Sequence, residues 1–93
     1  VYSIPNPFSE GTYFTMYVSD YPAIITITIY SLNGERVRLL TYEANETFVN
    51  QIYWNGKDEH GEKIANGAYF YHVKVETENK QLFENIYKLA KIE

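Results

Sequence analysis

The stretch AIITITIYSLNGERVRLL, residues 23–40, decides which fold this chain can adopt. Its first half alternates Ile25, Ile27 and Ile29 with threonine and tyrosine. Successive side chains of a strand point to opposite faces of a sheet, and β-branched residues pack well on a pleated surface. The first half therefore predicts a strand with one buried, isoleucine-lined face.

The middle of this stretch predicts a hairpin. Asn33-Gly34 is the dipeptide that most readily adopts the positive φ angles of a tight turn between antiparallel strands. The run that follows should pair back on the first strand. Val37 and either Leu39 or Leu40 are its candidates for burial.

The same period-two alternation recurs along most of the chain, and no helical stripe of apolar residues interrupts it. About seven short strands at regular spacing are typical of an antiparallel sandwich. The pattern predicts an all-β, immunoglobulin/fibronectin-III-like β-sandwich, with residues 1–93 as a single domain. Beyond the first strand and its partner, its predicted inward-facing side chains are Phe14, Met16, Val18, Ile52, Trp54, Tyr69, Tyr71, Val73 and Val75.

The two ends of the chain fit this pattern less well. Pro5 and Pro7 lack backbone donors, which predicts a leading segment at the edge of a sheet. Near Asn85 the alternation of the last strand breaks, which predicts a bulge or a frayed end. The first residues already resemble folded-domain sequence, so we expect the C-terminal module of a longer, exported protein.

Composition excludes several classes of function. The 93 residues carry a formal net charge of −4, which argues against nucleic acid as a partner. The chain has no cysteine, and hence no disulfide or thiolate metal site. No apolar run is long enough to span a bilayer, so no membrane insertion is expected.

The loop NGKDEHGEK, residues 55–63, invites interpretation as a metal site because Asp58 and His60 stand close together. An EF-hand-like arrangement would need side-chain oxygens where the chain has Gly56 and Gly67. Zinc would need at least three ligands, and this loop holds one histidine. We interpret the loop as a solvated turn in which Gly56 and Gly61 supply permissive φ angles, and we expect no metal or cofactor.

No arrangement of residues predicts catalysis. None of the serines lies in a G-x-S-x-G turn, and neither histidine has an evident orienting partner, so we expect no enzyme activity in this chain. The sequon at residues 45–47 is interpreted as an ordinary surface loop.

Outward-facing aromatic residues are the remaining indication of function. Period-two alternation places Tyr13, Tyr17, Tyr30 and Phe70 away from the core. One contiguous patch would suit a protein or sugar partner. Alternatively, these rings stack across strands and shield the sheets.

Several segments, in order, resemble one known family: IPNPFSEGTYFTMYV, ITITIYSLNGERVRLL, IYWNGKDEHGEKIANGAYFYHVKV and KLAKI. The chain is similar to the immunoglobulin-like module related to the flagellar hook-capping protein, and to the C-terminal sorting domains of type IX secretion cargo. The matching positions are Asn6, Pro7, Phe8, Asn33, Gly34, Trp54, Gly56, Asp58, Gly61, Gly67 and Tyr69.

The resemblance implies a scaffold, with three alternatives for its role. The first is a sorting or anchoring domain of a secreted or cell-surface bacterial protein that is exported through the periplasm and recognised by outer-membrane machinery. Its candidate recognition segment is Lys88, Leu89, Ala90, Lys91 and Ile92. The second is an assembly module that packs on an upstream domain of the same polypeptide, and the third is a carbohydrate-binding module.

Overall fold

A computed structural model describes residues 1–18, 22–44, 49–80 and 82–93, and it contains seven strands within these ranges. The sequon at residues 45–47 lies outside the described residues. The strands are β1 (Tyr2–Ile4), β2 (Thr12–Tyr17), β3 (Ala23–Ser31), β4 (Arg36–Ala44), β5 (Val49–Trp54), β6 (Gly67–Thr77) and β7 (Leu82–Lys91).

The strands form two antiparallel sheets, with the orders β1-β2-β5 and β4-β3-β6-β7. This confirms the predicted all-β sandwich. The core lies between the sheets and is built from their inward faces, as the alternation predicts. Its buried apolar side chains include Phe14, Met16, Val18, Ile25, Ile27, Ile29, Ile52, Trp54, Tyr69, Tyr71, Val73 and Val75.

β3 is the central strand of the larger sheet because it pairs with both β4 and β6. The hairpin predicted at its end is confirmed, with residues 32–35 as the loop. Gly34 has a φ of 84°, and its amide donates to the Ser31 carbonyl at 3.0 Å. On β4, Val37 and Leu40 pack against the core, whereas Leu39 is exposed.

The expected irregularity near Asn85 is not present. β7 pairs with β6 in continuous register, and Asn85 lies opposite Val73. Asn85 breaks the apolar alternation without breaking the strand because β7 is an edge strand and this position is exposed. Its side-chain oxygen accepts a hydrogen bond from the amide of Ile86 at 2.8 Å.

Candidate functional site: the clamped end of strand β7

The segment Asn6-Pro7-Phe8 holds the end of β7, where the candidate recognition residues lie. Asn6 Nδ2 donates to the carbonyl of Lys88 at 3.3 Å, and Asn6 Oδ1 accepts from the amide of Ala90 at 3.1 Å. Phe8 then adds two backbone bonds of 2.9 Å, one to the Ala90 carbonyl and one from the Ile92 amide. We call these four hydrogen bonds the β7 clamp. They satisfy backbone groups that an edge strand otherwise leaves open.

The aromatic rings beneath the clamp fix it to the core. Phe8 and Trp54 are each 1% exposed, and their ring centroids lie 5.3 Å apart. Phe14 also stacks on the indole, with ring centroids 6.3 Å apart. Trp54 Nε1 donates to the Lys57 carbonyl at 2.9 Å, so the polar edge of the buried ring is satisfied. The separate motifs Asn-Pro-Phe and Trp-Asn-Gly thus form one corner of the sandwich.

Removing the side-chain part of the clamp should loosen the end of β7 selectively. Asn6→Ala is expected to cost about 1–2 kcal/mol of unfolding free energy, because both of its hydrogen bonds to β7 are lost. Amide hydrogen exchange of Ala90 should accelerate. The amide of Ile86, which is bonded to Asn85, serves as the internal control and should exchange at its original rate. Equal acceleration at both amides would contradict a local clamp.

The loop at residues 55–63 is organised by Asp58. Its Oδ1 accepts from the backbone amides of His60 at 2.9 Å and Glu62 at 3.0 Å. Gly61 has a φ of 78°, as the turn interpretation requires. Arg38 donates to the carbonyls of Lys57 and Asp58 at 3.2 and 3.3 Å and ties the loop to β4. Within the described part of the chain, no three histidine, aspartate or glutamate side chains come together to hold a metal.

Asp58 should make this turn sensitive to acid. The Glu62 amide, and after it that of His60, hold the pKa of Asp58 below its ordinary value of 3.8. The ionised carboxylate therefore stabilises the turn above pH 3.8, and this stabilisation is lost as pH falls through the lower folded-state pKa. Between about pH 5 and about pH 2, the free energy of unfolding measured with urea should fall less in Asp58→Asn than in the parent chain. Parallel pH curves would contradict this role.

The step Gly67-Ala68-Tyr69 begins β6 beside the end of β7, where Gly67 lies opposite Lys91. Gly67 has a φ of 145°, a conformation that favours glycine. The Tyr69 hydroxyl donates to the Ala65 carbonyl at 2.6 Å, and burial raises the pKa of this phenol. Tyr69 therefore acts as a core anchor with a satisfied polar tip.

The candidate recognition segment is only partly accessible. Leu89 and Lys91 are each 2% exposed, because their side chains point inward from β7. Lys88 and Ile92 are exposed, and Ala90 is half-buried. The segment is thus the end of a folded strand, and the apolar run flanked by two lysines offers one accessible lysine.

Lys91 lines a surface cavity that sequence reasoning did not identify. The cavity has a volume of about 310 Å³ and is also lined by Glu10, Lys57, Lys63 and Glu93. Lys63 Nζ lies 3.3 Å from Glu93 Oε1, and Lys91 Nζ lies 4.0 Å from Glu93 Oε2. The cavity brings together side chains that are distant in the sequence.

The four aromatic residues predicted to face outward do not form one patch. Tyr13 and Tyr17 lie on the outer face of the three-stranded sheet, whereas Tyr30 and Phe70 pair across β3 and β6 on the other sheet. Tyr13 packs on Tyr53 with ring centroids 5.0 Å apart. The single patch is therefore not formed, whereas cross-strand packing occurs at Tyr13, and the smaller sheet carries its own aromatic face.

The strands of that aromatic face carry no charged residue. The register places Ile4, Tyr13 and Tyr53 in one row across the three strands, Tyr2, Thr15 and Gln51 in the next row, and Tyr17 beside Val49 in a third. Exposure of the tyrosines ranges from 47% at Tyr13 to 77% at Tyr17. Monomeric proteins seldom expose apolar patches larger than a few hundred Å², so this face is a candidate interaction surface.

Two packed antiparallel sheets, with the Asn-Pro-Phe and Trp-Asn-Gly motifs at one corner, define an immunoglobulin-like β-sandwich domain. The chain belongs to the FlgD Ig-like domain family, which matches residues 6–81. No curated protein matches the chain.

Three solved structures share the fold. The chain is similar to part of dimeric latent PorU from Porphyromonas gingivalis, with a TM-score of 0.84, 23% identity and coverage of 99% of this chain and 9% of PorU. It resembles FlgD from Xanthomonas campestris, described for hook capping in flagellar assembly, with a TM-score of 0.71, 15% identity and coverage of 91% and 61%. PorZ, an essential surface component of the type IX secretion system of P. gingivalis, gives a TM-score of 0.58, 21% identity and coverage of 100% and 11%.

These likenesses establish the fold. The chain spans less than two thirds of each of these proteins, so it corresponds to one domain of a larger molecule in each comparison. An immunoglobulin-like sandwich is a scaffold that does not itself define a catalytic site. The described residues include no helix long and apolar enough to cross a bilayer.

Proposed function

We propose that the chain is a non-catalytic module of a secreted or cell-surface bacterial protein, and that type IX outer-membrane machinery recognises it as a folded sorting domain. The supporting observation is the fold likeness, over almost the whole chain, to parts of PorU and of the type IX component PorZ. In this proposal residues 1–93 form the terminal module, and the upstream domain is the cargo.

The end of β7 is the proposed recognition surface. Lys88 and Ile92 are accessible from the outer face of the larger sheet, while the β7 clamp fixes their backbone. A cation and an apolar side chain held at a fixed spacing allow a receptor to recognise both charge and shape. Recognition of this kind needs the folded domain, in contrast to recognition of an unfolded tail.

Export of a reporter tests the sorting proposal. Residues 1–93 are fused behind a periplasmically targeted fluorescent protein in a bacterium with an active type IX system, and in an otherwise identical strain without it. We expect the reporter at the surface of the first strain and in the periplasm of the second. Periplasmic retention in both strains would refute the sorting role.

A pair of double variants tests the recognition surface. Lys88→Ala with Ile92→Ala should reduce surface delivery, because both accessible side chains are removed without touching the core. The matched control is Lys74→Ala with Ile24→Ala, another lysine and isoleucine on the outer face of the same sheet. Equal delivery of the two double variants would place recognition elsewhere on the domain.

The aromatic face of the smaller sheet supports a second candidate function, that of an assembly module packed on the upstream domain. Four tyrosines at roughly 150–250 Å² each, about half exposed or more, offer several hundred Å² of contact area. This approaches the ~800 Å² that each partner contributes to a standard interface. Aromatic enrichment and depletion of charge are the composition of an interface centre.

Unfolding of the parent polypeptide tests this second candidate. Tyr17→Ser should lower the unfolding temperature of the module joined to its upstream domain, but leave residues 1–93 alone nearly unchanged, because Tyr17 is 77% exposed in the isolated module. Leu32→Ser, at a hairpin residue that is 64% exposed, is the control and should change neither. An unchanged temperature for joined Tyr17→Ser would contradict the packing role.

A further inference from the structure

The cavity next to the β7 clamp holds more cationic than anionic side chains. Lys57, Lys63 and Lys91 line it together with Glu10 and Glu93. The lysines come from the loop after β5, the segment before β6 and the end of β7, so the fold brings them together. In a chain with a net charge of −4, this local excess of positive charge is a distinct feature.

Lys91 is the unusual member of this group. Its side chain is 2% exposed, yet among the described residues Nζ makes no hydrogen bond. Its one ion-pair partner there is Glu93 Oε2, at 4.0 Å. Charge-assisted N–H···O bonds are about 2.7–2.9 Å long. The contact of Lys91 Nζ with Glu93 Oε2 is about 1 Å longer than such a bond, so this ammonium group can accommodate a closer anionic partner in the cavity.

The position of Glu93 shows that a carboxylate group fits this cavity. Its carboxylate lies between two cations, with Oε1 3.3 Å from Lys63 Nζ and Oε2 4.0 Å from Lys91 Nζ. The amide of Glu93 is held by Asn66 Oδ1 at 3.1 Å, which positions the side chain over the cavity. The Glu93 side chain is 46% exposed, and exposed ion pairs contribute little to stability, so another anion can compete for these lysines.

We propose that this cavity is a binding site for a carboxylate group of another molecule, with Lys91 and Lys63 as the cationic contacts and Glu93 as the internal competitor. The carboxylate can belong to a small organic acid or to the terminus of a peptide, since both present the same planar anion. The proposal goes beyond the sorting function and does not depend on it. If the reporter does not reach the cell surface, the carboxylate site is not refuted. If the cavity binds no carboxylate, the sorting function is not refuted.

Binding is measured on residues 1–93 by ¹H–¹⁵N NMR titration at constant ionic strength, with sodium chloride balancing the added salt. The probes are sodium acetate and N-acetyl-trialanine, and the uncharged control is N-acetyl-trialanine amide. Amides around residues 9–11, 55–57 and 91 should shift saturably with both carboxylates and not with the amide. Saturation by the peptide alone would assign the site to peptide termini, and saturation by acetate alone to small acids. The proposal would be overturned if the chemical shifts rise linearly with the concentration of acetate and of the peptide, in the parent chain and also in Glu93→Gln.

Substitutions test the assigned roles. Glu93→Gln should tighten acetate or peptide binding by about tenfold, because it removes the competing charge. In the Glu93→Gln background, Lys91→Met should abolish saturable binding. Lys63→Met should weaken binding several-fold, and this variant provides a second test if Lys91→Met does not fold. Lys74→Met, on the outer face of β6, is the matched control and should bind like Glu93→Gln alone. Unchanged binding in both Lys63→Met and a folded Lys91→Met would refute the site.

Discussion

Trp54→Ala is expected to remove about 3–5 kcal/mol of unfolding free energy, a large part of the 5–15 kcal/mol that typically stabilises a domain. The indole is 1% exposed and is enclosed by Phe8 and Phe14. Its replacement leaves a cavity and also removes the bond from Nε1 to the Lys57 carbonyl. Urea unfolding followed by circular dichroism measures the effect. In the variant without tryptophan, the buried tyrosines supply the near-ultraviolet signal.

Tyr53→Ala provides the matched control for the loss of an aromatic ring. Tyr53 neighbours Trp54 on β5 but points outward, is 53% exposed and packs on Tyr13 across the strand pair. Its loss should cost less than about 1 kcal/mol, the scale of one cross-strand pair. If the two alanine variants were equally stable, the corner formed by Trp54 would not be the main anchor of this sandwich.

The strands could be predicted from the sequence because burial enforces the alternation. Ile25, Ile27 and Ile29 are fully buried, and a shift of one residue would move all three to solvent. The same rule fails at Asn85, where an exposed edge position tolerates a polar side chain in regular register. Alternation therefore locates strands best where two sheets face each other.

The candidate site was less predictable because its contacts join distant parts of the chain. Asn6 bonds to residues 82 and 84 positions further on, and no local pattern indicates such a pairing. Lys91 was predicted to belong to a recognition segment, yet it is buried. A signal was present, since alternation from the buried Leu89 places Lys91 on the same inward face.

Gly56→Ala should be the second severely destabilising substitution, with an expected loss of about 2–5 kcal/mol. Two costs add at this position. Gly56 has a φ of 75°, a conformation that L side chains rarely adopt. A Cβ here would also collide with the backbone carbonyl oxygen of Glu10 and lie 3.1 Å from Phe8 Cε2. Relief would require the leading segment to move, and that segment carries the β7 clamp.

Gly61→Ala separates the two costs, because Gly61 has a nearly identical φ of 78° and no atom within 4 Å of an added Cβ. Its loss should be about 1–2 kcal/mol, the price of the left-handed conformation alone. The difference between the two alanine variants, measured by urea unfolding, then reports the close approach of Gly56 to the leading segment. In Gly56→Ala the amides of Phe8 and Ile92 should also exchange faster, since displacement of Phe8 loosens the bond from its own amide to the Ala90 carbonyl and the bond from the Ile92 amide to its carbonyl. Equal losses in the two variants, with unchanged exchange at β7, would show that the Trp-Asn-Gly turn and the clamp are independent.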